Sequence, residues 1–220
     1  MRSLPLPLAL TARLTPVVVL ALAGWALSSG AETTPAAQDK SPGKTGTQST
    51  GGPSTTAVPK TYTAAPPPCG SVAEKTVKSL VPDAKTAGKE IASTDSKIRR
   101  TCSWNALKGF DYRWLDVSYE VLESDDAAEK YYAQRVEEKS GGGAVPGLGD
   151  AGYSVVNLTT EDDQKTREGV VLSRVANALV VITYNGSDFE TKEAPSSDEI
   201  NKGAIKAAKE AVTSLLAEAE

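Results

Sequence analysis

Few residues in this chain are suited to chemistry, and their spacing narrows the field further. There is no histidine, which removes the commonest general base and the commonest transition-metal ligand together. Gly147-Leu-Gly149-Asp-Ala-Gly152 satisfies the GxGxxG pattern of dinucleotide sites. That site needs a strand before the glycines and a helix after them, whose amino terminus holds the pyrophosphate. Here a helical segment and a triple-glycine loop come before and a strand comes after, so a tight loop entering a strand is expected instead. Asp116 and Glu120 share one face of one predicted strand, roughly 13 Å apart along it. Glycosidase carboxylates stand about 5–9.5 Å apart, so this pair is too widely spaced. Glu161-Asp162-Asp163 lacks EF-hand spacing and fits a solvated hairpin tip. Ser154 and Ser173 have no histidine to activate them and no Ser-x-x-Lys signature in its place. No catalytic residue, metal site or cofactor is expected, and the chain is not read as an enzyme.

What remains is aromatic. Tyr112, Trp104 and Trp114 are candidate ligand-binding residues, a platform for a glycan or a lipid. Trp114 falls on the more polar side of its strand, where an exposed ring is of interest. The ordinary alternative is that tryptophans in a small disulfide-closed domain are core.

These residues belong to a domain expected over residues 69–220. Ser71-Val-Ala-Glu74 forms a capping box, followed at helical spacing by Ala73, Val77, Leu80 and Val81, and Pro82 stops that helix. Asp83 to Lys97 is polar and reads as loop. Arg100–Asn105 predicts a short strand, and Tyr112–Leu122 alternates cleanly, with Leu115, Val117, Tyr119 and Val121 on the buried side. Ser124 caps a second helix with Asp125 and Asp126 in its first turn. Tyr153–Leu158, Val170–Val175 and Leu179–Tyr184 predict three more strands, the last two joined through Ala176-Asn177-Ala178 as a hairpin. Asn185-Gly186 is expected to turn the chain out of the sheet. Ser196-Ser-Asp-Glu199 opens a final helix with an apolar stripe, opposite which Lys202, Lys206, Lys209 and Glu210 form a solvated face. The order α-β-β-α-β-β-β-α gives an α+β fold, an antiparallel sheet of about five strands covered by three helices.

Upstream, Arg2 and Arg13 precede the apolar run Pro16–Leu27 and small residues to Ala31, so residues 1–31 have the pattern of a signal peptide. The run is shorter than the roughly 20 residues of a membrane span. Leu22-Ala23-Gly24 matches the start of a lipoprotein sorting box, but Trp25 stands where the lipid-accepting cysteine belongs. Either that cysteine was lost or the triplet is coincidental; no lipid is expected. Residues 32–68 are nearly all Thr, Ser, Pro, Gly, Ala, Gln and Lys, a composition that cannot offset chain entropy and predicts a disordered linker. Export makes a disulfide the default for the only two cysteines, Cys69 and Cys102. The net charge of −4 argues against a nucleic-acid partner, which needs a concentrated basic face on the protein, and against adhesion to an anionic membrane through charge alone. The expected partner is a small envelope ligand or an envelope protein, with membrane proximity through the N-terminal segment only.

Pro68-Cys69, Arg100-Thr-Cys102-Ser-Trp104, Tyr112-Arg-Trp114-Leu-Asp116-Val-Ser118 and Val145-Pro-Gly-Leu-Gly149-Asp150-Ala-Gly-Tyr153 together resemble an actinobacterial exported lipoprotein family, domain of unknown function 3558. The resemblance covers Cys69 to the C-terminus. It implies an exported, typically lipid-anchored domain with the cysteines paired, and a distant likeness to PsbP-like α/β sandwiches; it implies no activity. Trp25 departs from the family pattern and puts anchoring in doubt, not the fold.

Overall fold

A computed structural model describes residues 61–218; the expected signal peptide, residues 1–31, and residues 32–60 of the expected linker lie outside the described residues. The elements are α1 (Glu74–Leu80), β1 (Lys89–Ile91), β2 (Arg99–Lys108), β3 (Asp111–Val121), α2 (Asp125–Glu138), β4 (Gly143–Ala144), β5 (Ala151–Glu161), β6 (Gln164–Val175), β7 (Ala178–Asp188) and α3 (Ser197–Ala217). All pairs are antiparallel, in the order β1-β2-β3-β7-β6-β5-β4. The fold is α+β as expected, but the sheet has seven strands rather than five. The two extra strands, β1 and β4, are short, wholly exposed and lack apolar alternation, so only their backbone pairing marks them. β7 also runs through Asn185-Gly186 to Asp188, because Gly186 and Ser187 pair with Arg113 and Tyr112 of β3.

α1 and α3 cover one face of the sheet. Its core gathers Leu115, Val117, Tyr119, Ile182 and Tyr184 under the small-residue stripe Ala204, Ala207, Ala208 and Ala211 of α3. Small side chains let the helix approach closely, and the Tyr119 and Tyr184 hydroxyls span the layer by donating to Ala211 O and Leu80 O, both at 2.8 Å. The expected Ser71 capping box is not formed. Ala73 stands at the N-cap, and Ser71 Oγ donates instead to Pro68 O. The cap comes from α3: the Glu210 carboxylate accepts from Ala73 N at 2.9 Å and Thr76 Oγ1 at 2.7 Å. Glu210 therefore belongs to a helix contact, not to a solvated face. The other two caps form as expected, Ser124 Oγ accepting from Ala127 N and Ser196 Oγ from Glu199 N.

The domain also begins earlier than Cys69. Tyr62 and Ala65 are buried in the same core, and Ala65 N donates to Lys97 O. Composition did not show this, because a single aromatic ring anchors a segment otherwise built like the linker. Cys69 and Cys102 are joined, tying the start of this region to β2 across 33 residues. Gly88, at φ +65°, passes directly over that bridge; a Cβ there would lie 2.6 Å from Cys102 Sγ and from the Trp104 ring.

Candidate functional site: the uncovered half of the sheet

On the second face, α2 covers only one end. Ala128, Tyr131, Tyr132 and Val136 pack on Val155, Val170, Leu172, Leu179 and Val181. Arg135 donates to Glu120 at 3.4 Å and Arg99 pairs with the same carboxylate at 3.6 Å, which pins that end. The register carries this face onward, past the helix, through Thr101, Ser103, Asn105 and Leu107 of β2, Tyr112, Trp114 and Asp116 of β3, and Thr183, Asn185 and Ser187 of β7. No helix of the described residues lies over them.

Tyr112 and Trp114 are neighbours on this floor, edge to face with ring centroids 6.3 Å apart. Phe189 stacks on the other side of Tyr112 at 5.9 Å. Both geometries suit the aromatic quadrupole. Phe189 is held in place twice over. Its N–H donates to Phe110 O at 2.9 Å, and the turn that follows is closed on Asp188, whose Oδ1 accepts from Thr191 N, Thr191 Oγ1 and Glu190 N. The bonds from Thr191 draw the Asp188 carboxyl below the usual carboxylate range. Trp114 Nε1 donates to Asp116 Oδ1 at 2.6 Å, fixing the indole against the strand. Burial, helped by the Asp116 charge, pushes the Tyr112 phenol up, so it remains a neutral donor at physiological pH.

Beyond Asp116 the floor opens into a groove of about 530 Å³ whose wall is the β1–β2 connection, with Asp95, Ile98, Arg99 and Thr101 along it. Five of the seven large hydrophobic side chains left exposed among the described residues, Ile91, Ile98, Leu107, Phe110 and Phe189, border this one half-face. The arrangement presents flat aromatic and aliphatic surface beside carboxylate, guanidinium, hydroxyl and amide groups.

Of the three aromatic residues singled out in sequence, two come together here and one does not. Trp104 faces the opposite side of the sheet, is 2% exposed, and donates Nε1–H to Thr86 O. It is core packing beside the disulfide, and it is removed from the platform. Phe189 takes its place, stacked on Tyr112. Phe189 was missed because the strand leading to it was expected to end at Tyr184, with Asn185-Gly186 turning the chain away. The glycine pattern at Gly147–Gly152 is a loop delivering the chain into β5; Gly149 sits so close to Arg174 O that a Cβ would approach to 2.4 Å. Of the acidic triplet, Glu161 ends β5, and Asp162 and Asp163, both at positive φ, form the two-residue tip between β5 and β6. Asp116 and Glu120 share a face but are each engaged elsewhere, with Trp114 and with the two arginines.

No family model matches the chain, and no curated protein matches it. Among solved structures it is similar to the extracellular domain of PknH from Mycobacterium tuberculosis, at 12% identity and a TM-score of 0.32, over 65% of this chain and 97% of that one. So low a score and identity carry nothing from that domain to this one.

Proposed function

We propose that the chain is an exported, non-catalytic module of the cell envelope that holds a saccharide-bearing ligand on the Tyr112–Trp114–Phe189 platform. The observation that carries this reading is the packed aromatic cluster on the half of a sheet face over which no helix of the described residues lies. A pyranose ring has an apolar face of C–H groups and a rim of hydroxyls. Tyr112 and Trp114 suit the first; Asp116, Thr101 and Asn185 suit the second. A lipid tail would favour an enclosed apolar channel, whereas the grooves here are open. Export is supported by the signal pattern and by the disulfide. A non-catalytic role is supported by the absence of histidine and by carboxylates already committed to neighbours. Kinship with domain of unknown function 3558 is proposed on the residues quoted for it alone.

A second reading is a docking surface for an envelope protein, favoured by the exposed Ile91, Ile98, Leu107 and Phe110. Native mass spectrometry of the chain released gently from its own envelope separates the two. A glycan adduct of fixed mass, absent from Trp114→Ala, supports the ligand module. A bare chain that crosslinks to a protein through the Ile98 and Leu107 side supports docking.

A further inference from the structure

The two edges of the sheet are not built alike. At one, β1 has three residues, two of them charged, and the part of β2 that β1 leaves uncovered ends in Lys108. Short and charged edges resist further pairing. At the other, β4 pairs only with Tyr153 and Ser154 of β5. Among the described residues no strand lies beside the outer side of β5 from Val155 to Glu161, so alternate backbone N–H and C=O groups point outward. This stretch holds no proline and no lysine, and its ladder with β6 runs without a bulge to Glu161↔Gln164. Asn157 to Glu161 are exposed, and Leu158 stands 51% exposed near the middle of the edge.

We propose that this edge pairs with the same edge of a second copy, antiparallel about a two-fold axis at Leu158, giving one continuous sheet through both. Its length points to self-pairing. Leu158 is the midpoint of the free stretch, so an antiparallel copy fills all of it, setting Val155 opposite Glu161 of the second copy and stopping where β4 begins. An isologous contact of this kind is self-complementary and closed. Charge points the same way. The acidic turn Glu161-Asp162-Asp163 of one copy arrives at the β4 end of the other, beside Lys139. There the Tyr153 hydroxyl donates to Lys139 O at 2.5 Å and accepts from Gly142 N at 2.8 Å. Gly141 to Gly143 place no side chain in the way. The two acidic turns sit at opposite ends of the shared edge, so like charges stay apart.

The test is sedimentation equilibrium on the full 23.0 kDa chain in detergent micelles, with Leu158→Lys and, as a control at another exposed leucine, Leu216→Lys. The unaltered chain and Leu216→Lys are expected as dimers, and Leu158→Lys is expected to dissociate about tenfold more readily or worse, since it sets like charges directly opposite. Amide hydrogen exchange of the unaltered chain should slow over Val155–Glu161 as concentration rises. If Leu158→Lys loses its fold, that exchange measurement decides alone. A monomeric unaltered chain overturns the proposal, and so does a dimer that survives Leu158→Lys while these amides exchange freely.

Discussion

Tyr62 and Asn177 exchange two hydrogen bonds across 115 residues of sequence: Tyr62 N donates to Asn177 Oδ1 at 2.8 Å, and Asn177 Nδ2 donates to Tyr62 O at 2.9 Å. The same amide also donates to Leu122 O at 2.9 Å. A fully buried side chain in the β6–β7 turn thus fastens the entering chain and the end of β3 together. Asn177→Ala leaves these backbone groups without partners, and each such loss costs about 1–3 kcal/mol. We expect the variant to unfold at markedly lower urea, and a chain begun at Cys69 to lose stability in the same direction. Equal urea midpoints would show that Thr61–Pro68 does not belong to the folded unit.

The Cys69–Cys102 bridge closes a loop with a sequence separation of 33. In the chain-entropy model a closure of this size stabilises by roughly 3–4.7 kcal/mol. Thermal unfolding with and without reductant measures this, and Cys69→Ser with Cys102→Ser should reproduce the reduced midpoint. Trp104, packed beside Cys102, should become more reactive to fluorescence quenchers at the same time.

Much of this architecture was legible in the chain, and the failures have physical causes. The long strands and α3 announced themselves because one side of each is buried, which leaves alternation or a stripe in the sequence. β1 and β4 bury nothing and so left no pattern. Ser71 looked like a cap, but the Glu210 carboxylate, brought by a helix distant in sequence, took over that role. Such substitutions are invisible locally. The platform was half legible. Tyr112 and Trp114 share a face by strict alternation along one strand, whereas Phe189 joins them only because β7 pairs with β3 through Ser187. Trp104 lies one residue out of phase with Ser103 and Asn105, which puts it on the other face. Its register against β3 would have excluded it.

Tyr184 titrates far from its ordinary range. Burial, more than any neighbouring charge, raises its phenol from 10.0 to about 12. The folded state therefore holds the proton more tightly than the unfolded chain. The resulting stabilisation is complete below pH 10 and is lost as pH rises through about 12. Tyr119 and Tyr62 shift the same way, also chiefly through burial. Urea unfolding followed from neutral to strongly alkaline pH should show a steady fall beginning near pH 10. Tyr184→Phe should blunt that fall while losing about 0.5–1.5 kcal/mol at neutral pH with the bond to Leu80 O.

The platform itself is tested most directly by calorimetric titration of the chain with oligosaccharides released from its own envelope, comparing the unaltered protein, Trp114→Ala and Trp104→Ala. Trp104→Ala should lose about 3–5 kcal/mol of stability, as a buried indole does. Trp114→Ala should keep its fold and weaken binding about tenfold or more, which is roughly 1.4 kcal/mol. Binding that is undiminished in a folded Trp114→Ala variant, or no binding by the unaltered chain, would contradict the assignment of the uncovered half-face as a saccharide site.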